Sequence, residues 1–209
     1  MHTPHQPFKI AIFASGAGTN ARRIIDFFKD SALAEIALIV CNKPGAGVFE
    51  IARQHAIPSL LIERERFFRG DGYVPVLRQS GTDLIVLAGF LWKIPQAVLN
   101  AYPKKIINIH PALLPKYGGK GMYGHFVHEA VLAAKEMETG ITIHYVDEHY
   151  DHGDTIFQAR CPVATGADVA AISKSVQQLE HYHYPRVIED VLKKMAAMGT
   201  EEQGTRKIK

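Results

Sequence analysis

The sequence predicts an α/β protein in which a doubly wound, mostly parallel sheet is followed by an antiparallel C-terminal extension. Short, continuous apolar runs alternate with segments whose apolar residues recur at helical spacing. Parallel strands covered by helices on both faces are apolar along their whole length, so this alternation favours a parallel sheet. The last two apolar runs are separated by a single loop, which favours an antiparallel pair.

The N-terminal half contains apolar strands that each end at a turn or at proline. They are predicted at residues 8–14, 35–41, 59–62, 83–88 and 105–110. Helices are predicted after the first strand, over residues 48–55 and 73–79, and from Pro95 onward. Thr19 or Asn20 is expected to cap the first helix, because both residue types accept hydrogen bonds from free backbone N–H groups.

The C-terminal half follows a glycine-rich segment at residues 118–121. A helix over residues 127–135 precedes strands at 140–146 and 155–162, and a last helix covers about residues 167–194. We expect one domain over residues 8–195, with an N-terminal extension at 1–7. A flexible basic tail is predicted at 196–209, because Arg206-Lys-Ile-Lys209 is the densest basic run of the chain.

The composition is that of a soluble globular protein. Of the 209 residues, 47% are hydrophobic and 22% are charged, which suffices for a buried core. The net charge of +3 comes without a basic stripe in the folded part, so no nucleic-acid partner is expected. No apolar run approaches the ~20 residues of a membrane-spanning helix, and no secretory signal precedes the first strand. A cytoplasmic protein without membrane contact is therefore predicted.

A glycine-rich turn, Ser15-Gly-Ala-Gly-Thr-Asn20, joins the first strand to the first helix. Backbone N–H groups converge there on the positive end of the helix dipole, and this arrangement suits a phosphate group. A dinucleotide site would require a third glycine in place of Ala21 and an acidic residue where the sequence has Cys41-Asn-Lys43. The turn therefore predicts a site for a phosphate group and argues against binding of a dinucleotide. The alternative is a tight turn that binds no ligand.

Polar side chains near the carboxyl end of the fifth strand suggest a catalytic site. Asn108 and His110 alternate with isoleucines and therefore project to the same side, and Asp151 lies in the loop between the last two strands. An amide and a protonated imidazole can stabilise an oxyanion, while a carboxylate orients the histidine and raises its pKa. Without a serine or cysteine nucleophile, the set predicts direct acyl transfer. A structural role for Asn-x-His is the alternative.

The remaining histidines do not predict a metal site. They fall into two groups, His144 with His149 and His152, and His181 with His183. Neither group shows HExxH or another recognised ligand spacing.

Five motifs carry a resemblance to a known family: Ser15-Gly-Ala-Gly-Thr-Asn20, Leu87-Ala-Gly-Phe90, Asn108-Ile-His-Pro-Ala-Leu-Leu-Pro-Lys-Tyr117, Asp151-His-Gly153 and Gln177-Gln-Leu-Glu-His181. With them the chain, from about Lys9 to Lys193, resembles the formyltransferase family and, within it, the phosphoribosylglycinamide formyltransferases. The resemblance implies a Rossmann-like formyltransferase fold. It also implies a monomer or homodimer that acts on small molecules.

The same resemblance implies roles for particular residues. Substrate phosphate and ribose would be bound by Gly18, Thr19, Asn20, Gln177 and Glu180. The folate would be bound by Leu91, Trp92, Ile94, Asn108, Val146, Asp147, Glu148 and Asp151. The catalytic set would be Asn108, His110 and Asp151.

The implied reaction transfers the formyl group of the co-substrate 10-formyltetrahydrofolate to the amine of 5'-phosphoribosylglycinamide in de novo purine (IMP) biosynthesis. The amine attacks directly, without a metal. Asn108 and imidazolium His110 would stabilise the tetrahedral oxyanion, and Asp151 would move the proton through a water. Three places depart from the family's usual pattern: Trp92, the segment Gly118-Gly-Lys-Gly-Met-Tyr-Gly124, and His152.

Three other functions are compatible with parts of this pattern. Formyltetrahydrofolate hydrolases carry an additional N-terminal domain and methionyl-tRNA formyltransferases an additional C-terminal one, so the length of 209 residues argues against both. A non-catalytic module that binds a phosphorylated ligand would need only the glycine-rich turn.

Overall fold

The structure, a computed structural model, describes residues 6–206, with side chains through Met198. Its strands form one seven-stranded sheet with the order β3-β2-β1-β4-β5-β6-β7. The strands are β1 Phe8–Ala14, β2 Ala34–Cys41, β3 Ser59–Leu61, β4 Leu84–Leu87, β5 Ile106–His110, β6 Glu138–Tyr145 and β7 Thr155–Pro162. Strands β1 to β5 are parallel, and β6 and β7 pair antiparallel at one edge, so the predicted fold class is confirmed.

Helices cover both faces of the sheet. They are α1 Thr19–Phe28, α2 Gly47–Gln54, α3 Arg64–Arg69, α4 Val74–Gln79, α5 Gln96–Ala101, α6 His125–Ala133 and α7 Val169–Arg206. Alternate strand residues feed two cores: Ile10 and Ile12 of β1 pack on the side of α1, α2, α6 and α7, and Phe13 packs on the side of α3, α4 and α5. None of the helices within residues 6–206 is long and apolar enough to cross a membrane.

The order of the strands creates the place for a ligand. From β1 the chain moves outward to β2 and β3, and it then returns to the other side of β1 with β4. The loops that follow β1 and β4 therefore diverge to opposite faces of the sheet. A crevice opens at this switch point, at the carboxyl ends of the strands.

The start of α1 differs from the prediction. Gly18 is the N-cap, in the left-handed conformation with φ 76°, and no side chain caps the helix, so the expected cap by Thr19 or Asn20 is wrong. A Cβ atom at Gly18 would lie 2.9 Å from side-chain atoms of Val48 and Ile51 on α2. Glycine is required here both by the backbone conformation and by the close approach of α2.

Two helices also differ from the prediction. Helix α3 was not predicted, because it is short and buries only Phe67, so it has no apolar periodicity to detect. Helix α7 continues to Arg206, beyond the predicted end near residue 194. Good helix formers at Ala196-Ala-Met198 and Glu201-Glu-Gln203 extend it through part of the predicted tail. Residues 207–209 of that tail lie outside the described residues.

Helix α7 is fastened to the sheet by Tyr184. This side chain is completely buried, and its hydroxyl donates to the carbonyl oxygen of Leu87 at 2.9 Å, with that of Ile107 at 3.3 Å. The hydroxyl therefore joins α7 to the last residue of β4 and to the first half of β5, the strands beside the crevice.

We expect Tyr184→Phe to lower the free energy of unfolding by about 1 kcal/mol, because it removes a buried hydrogen bond without changing the packed ring. Urea denaturation followed by circular dichroism measures this change. Tyr182→Phe is the matched control, since the Tyr182 side chain is 57% exposed. Equal midpoints for wild type and Tyr184→Phe would contradict the prediction.

Candidate active site

A cleft of about 530 Å³ lies at the carboxyl ends of the strands. Its floor includes Asn108 and His110 of β5, and Asp151 closes it from the loop between β6 and β7. The three side chains that were predicted as a catalytic set from distant parts of the sequence therefore share one cavity. Two of them are strongly buried: the side chains of His110 and Asp151 are 4% and 10% exposed.

Asp151 contacts two histidines and one backbone N–H group. Its Oδ2 atom lies 3.6 Å from His110 Nδ1 and accepts a hydrogen bond of 2.8 Å from the Gly119 N–H group, and its Oδ1 atom lies 3.6 Å from His144 Nε2. Asp151 itself adopts a left-handed backbone conformation with φ 58°, which aspartate tolerates better than most residues. This conformation is part of what directs the carboxylate into the cleft.

His144 belongs to the site although the sequence analysis gave it no role. In the antiparallel register Asn108 lies directly opposite His144, and Asn108 Nδ2 is 3.2 Å from His144 Nε2. The Nδ1 atom of His144 is 2.8 Å from the Tyr145 carbonyl oxygen, which places the proton on Nδ1 and leaves Nε2 to accept from Asn108. A signal existed in the sequence: Thr142 and His144 alternate with two core isoleucines on the predicted strand.

His110 is held in one tautomer. Its Nε2 atom is 2.7 Å from the Tyr117 carbonyl oxygen, so Nε2 carries a proton and donates a hydrogen bond to that oxygen. Burial lowers the pKa of the His110 imidazole more than the Asp151 carboxylate and the Tyr117 carbonyl raise it. His110 is therefore neutral at pH 7, with Nδ1 unprotonated. Asp151 raises the pKa of His110 as expected, but the net pKa is lowered because desolvation outweighs the charge of Asp151.

The opposite balance holds for Asp151. Burial by itself would raise its pKa, but the neighbouring His144 and His110 rings and the hydrogen bond from the Gly119 N–H group together outweigh burial. The pKa of the Asp151 carboxyl is consequently below its ordinary value. At neutral pH the site holds an ionised carboxylate beside a neutral imidazole.

One end of the cleft is formed by α1 and α7. Asn20 Nδ2 donates a 2.9 Å hydrogen bond to Glu180 Oε2, and Gln177 lines the same end. Asn20 Oδ1 is buried with no hydrogen-bond partner among the described residues. Burial raises the pKa of Glu180 more than the hydrogen bond from Asn20 lowers it. Of the predicted phosphate set, Asn20, Gln177 and Glu180 line the cleft, whereas Gly18 and Thr19 do not.

The other end is apolar and aromatic. Leu91, Trp92 and Ile94 line it, as does Val146, which directly follows β6. The Trp92 ring packs between the cleft and α3, with its centroid 5.8 Å from that of Phe67. Ser15 joins this end to the glycine-rich turn, because its hydroxyl accepts a 3.0 Å hydrogen bond from the Leu91 N–H group.

The loop between β6 and β7 supplies the last predicted folate residues. Asp147 lines the cleft next to Val146. Glu148 does not line the cleft, and its side chain is 66% exposed. Its Oε1 atom lies 4.0 Å from His149 Nδ1. Within residues 6–206 no group of three or more His, Cys, Asp or Glu side chains is arranged to hold a metal ion.

Comparison with known proteins decides the family. Residues 8–188 match the family described as formyl transferase. A Bacillus subtilis protein named phosphoribosylglycinamide formyltransferase is 38% identical over 189 residues, which are 88% of this chain and 94% of that protein. The chain belongs to the formyl transferase family.

Further relatives agree with this membership. The chloroplastic phosphoribosylglycinamide formyltransferase of Arabidopsis thaliana is 40% identical over 193 residues, which are 90% of this chain but only 66% of that protein. The chain thus spans slightly less than two thirds of this plant relative. The crystal structure of glycinamide ribonucleotide transformylase 1 from Symbiobacterium toebii has a TM-score of 0.84 and 26% identity, and the match covers 93% of this chain and 92% of that chain. The resemblance stated from the motifs is confirmed.

For this formyl transferase family member we expect Asp151→Asn to lower the pKa of His110 further. The Asp151 charge favours the imidazolium form and raises the pKa of His110, whereas burial lowers that pKa. Without the charge, the pKa therefore falls further. NMR titration of the His110 ring proton measures the shift. Asp147→Asn is the control, because Asp147 Oδ1 accepts a hydrogen bond from the His149 N–H group within its own loop. An unchanged or raised His110 pKa in Asp151→Asn would show that the two groups are not coupled.

Proposed function

We propose that this chain transfers the formyl group of 10-formyltetrahydrofolate to the amine of 5'-phosphoribosylglycinamide, as an enzyme of purine biosynthesis. The observation that carries the proposal is the meeting of Asn108, His110 and Asp151 at the floor of the cleft. Membership in the formyl transferase family supports the reaction class. The names of the relatives support the acceptor, since they act as phosphoribosylglycinamide formyltransferases by name.

The two ends of the cleft differ in the chemistry that they offer. The polar end has the Asn20 side chain, whose Oδ1 has no partner among the described residues, and Gln177 of α7, and these polar groups suit a phosphorylated ribose. The end at Leu91, Trp92 and Ile94 suits the flat pterin ring of the donor, because aromatic rings bind well in apolar slots. The acceptor amine and the donor formyl group would then meet between these ends, over Asn108.

The proposed reaction proceeds by direct attack. The acceptor nitrogen forms a bond to the formyl carbon, and the carbonyl oxygen becomes an oxyanion that the Asn108 side-chain amide stabilises as a hydrogen-bond donor. The acceptor nitrogen loses a proton, the bond from the formyl carbon to the donor nitrogen breaks, and the donor nitrogen gains a proton. No metal is used.

Neutral His110 and ionised Asp151 supply the proton path in this proposal. His110 Nδ1 is unprotonated and 3.6 Å from Asp151 Oδ2, so the pair can accept the proton of the attacking amine and return it to the leaving nitrogen. The adjacent carboxylate stabilises the imidazolium that forms in between. Tyr117 fixes the orientation of the ring throughout, because its carbonyl holds Nε2.

We propose a cytoplasmic enzyme, monomeric or dimeric, whose partners are these two small molecules. The decisive experiment incubates the purified protein with 10-formyltetrahydrofolate in the presence and absence of 5'-phosphoribosylglycinamide. Tetrahydrofolate that forms only with the acceptor supports the proposal. Tetrahydrofolate and formate released without acceptor would instead identify a hydrolase, and absence of turnover would identify a binding module.

We expect Asn108→Ala to keep the fold and to lower kcat by about 10²–10³, because it removes one oxyanion donor. Asn100→Ala is the matched control, since Asn100 lies on α5 and accepts an exposed hydrogen bond from Gln96. Circular dichroism and steady-state kinetics together measure the outcome. A folded Asn108→Ala variant with near-normal kcat would remove Asn108 from the mechanism.

A further inference from the structure

The cleft carries few fixed positive charges. Among the described residues that line it, Lys93 and Lys120 are the two with permanently charged cationic side chains. Asp147, Asp151 and Glu180 contribute carboxyl groups to the same lining. An anionic ligand therefore depends on the placement of these two lysines.

The lysines belong to opposite walls of the cleft. Lys93 follows Trp92 on the aromatic wall beside α3. Lys120 lies in the loop that leads into α6, and α6 packs against α7. We therefore assign Lys120 to the side of the cleft formed by α6 and α7, where Gln177 and Glu180 also line it and where the phosphorylated acceptor is proposed to bind.

A tight turn presents Lys120 at its tip. The Met122 N–H group donates to the Gly119 carbonyl oxygen at 3.1 Å, and Gly121, the third residue of the turn, has φ 91°. These features are those of a type II turn with Lys120 at its second position. Lys120 is exposed, and no hydrogen bond or ion pair of its ammonium group occurs within residues 6–206.

The turn is anchored at its base and open at its tip. Its first residue, Gly119, is held by the N–H bond to Asp151, and Tyr117 just before it is held by His110. A Cβ atom at Gly121 or Gly124 would meet nothing within 4 Å, so this part of the loop borders open space. The exposed Lys120 side chain therefore has room to change its rotamer while Gly119 stays bound to Asp151.

The acceptor phosphate needs such a cation. A phosphate monoester carries roughly −1.5 to −2 charges at neutral pH, whereas a helix N-terminus contributes only about +0.5. We propose that Lys120 binds the phosphate of the acceptor and thereby makes the enzyme selective for a phosphorylated acceptor. This inference rests on the proposed function, because it names the residue that would recognise one of its two substrates.

The test compares 5'-phosphoribosylglycinamide with the same acceptor lacking its phosphate, glycinamide riboside. For Lys120→Met we expect KM for the ribonucleotide to rise about 10-fold to 100-fold with little change in kcat, as for loss of a charged hydrogen bond that is equally strong in ground state and transition state. The kcat/KM value for the riboside should stay unchanged. Lys120→Arg should restore most of the affinity for the ribonucleotide.

Lys174→Met is the matched control. Lys174 is exposed on α7 next to the cleft residue Ser173 but does not line the cleft, so this variant removes the same charge from the same neighbourhood. It should leave KM for both acceptors unchanged. An equal rise in KM for the ribonucleotide in Lys174→Met and Lys120→Met would show that any positive charge near the cleft has this effect. That result would overturn the inference.

Calorimetric titration with the ribonucleotide, without folate, separates this inference from the proposed function. A weaker Kd in Lys120→Met than in wild type supports the phosphate contact whether or not formyl transfer is detected. If wild type catalyses transfer but Lys120→Met has the same KM and Kd, only the inference fails. A loss of kcat that is equal for both acceptors would also overturn it, because it would indicate a disturbed Asp151.

Discussion

The contacts of the Asp151 carboxylate are the interaction on which the candidate site depends. One carboxylate joins the histidine of a parallel strand, His110, to that of an antiparallel strand, His144, and it anchors the glycine-rich loop through the Gly119 N–H group. A buried carboxylate that lacks such partners would be costly, so each contact also keeps the others in place. The balance between burial and these contacts sets the protonation states of the site: the contacts keep Asp151 ionised, and burial keeps His110 neutral.

The fold supplies this hub with a rigid base. Reversal of the strand order between β1 and β4 opens the crevice. The buried hydroxyls of Ser15 and Tyr184 link the segments around it by hydrogen bonds. Ser15 ties the glycine-rich turn to the start of the aromatic wall, and Tyr184 ties α7 to the end of β4 and to the first half of β5. Asn108, His110 and His144 of the candidate site therefore come from strands, while Asp151 and the aromatic end of the cleft come from loops, which can change without disturbing the sheet.

Most of the fold could be predicted because its signals are local. Strands β1 and β7 have the predicted bounds, since each is a short run rich in strand-forming residues that ends at a turn or at proline. The errors lie where a neighbour from elsewhere in the chain decides. Gly18 caps α1 because Val48 and Ile51 of α2 leave no room for a side chain. Helix α3 is stabilised by Phe67, which packs in the core next to Phe90. Neither contact is visible in a local pattern.

For the site, the sequence by itself determined which chemical groups are present: an amide and an imidazole on one strand, a carboxylate in a later loop, and a glycine-rich turn before a helix. The tertiary structure alone decided how they act. The pairing of β5 with β6 brought His144 opposite Asn108, and burial lowered the pKa of His110 in spite of the Asp151 carboxylate. The physical reason is that a pKa and a cross-strand contact depend on what lies within a few ångströms in space, whereas the sequence orders residues only along the chain.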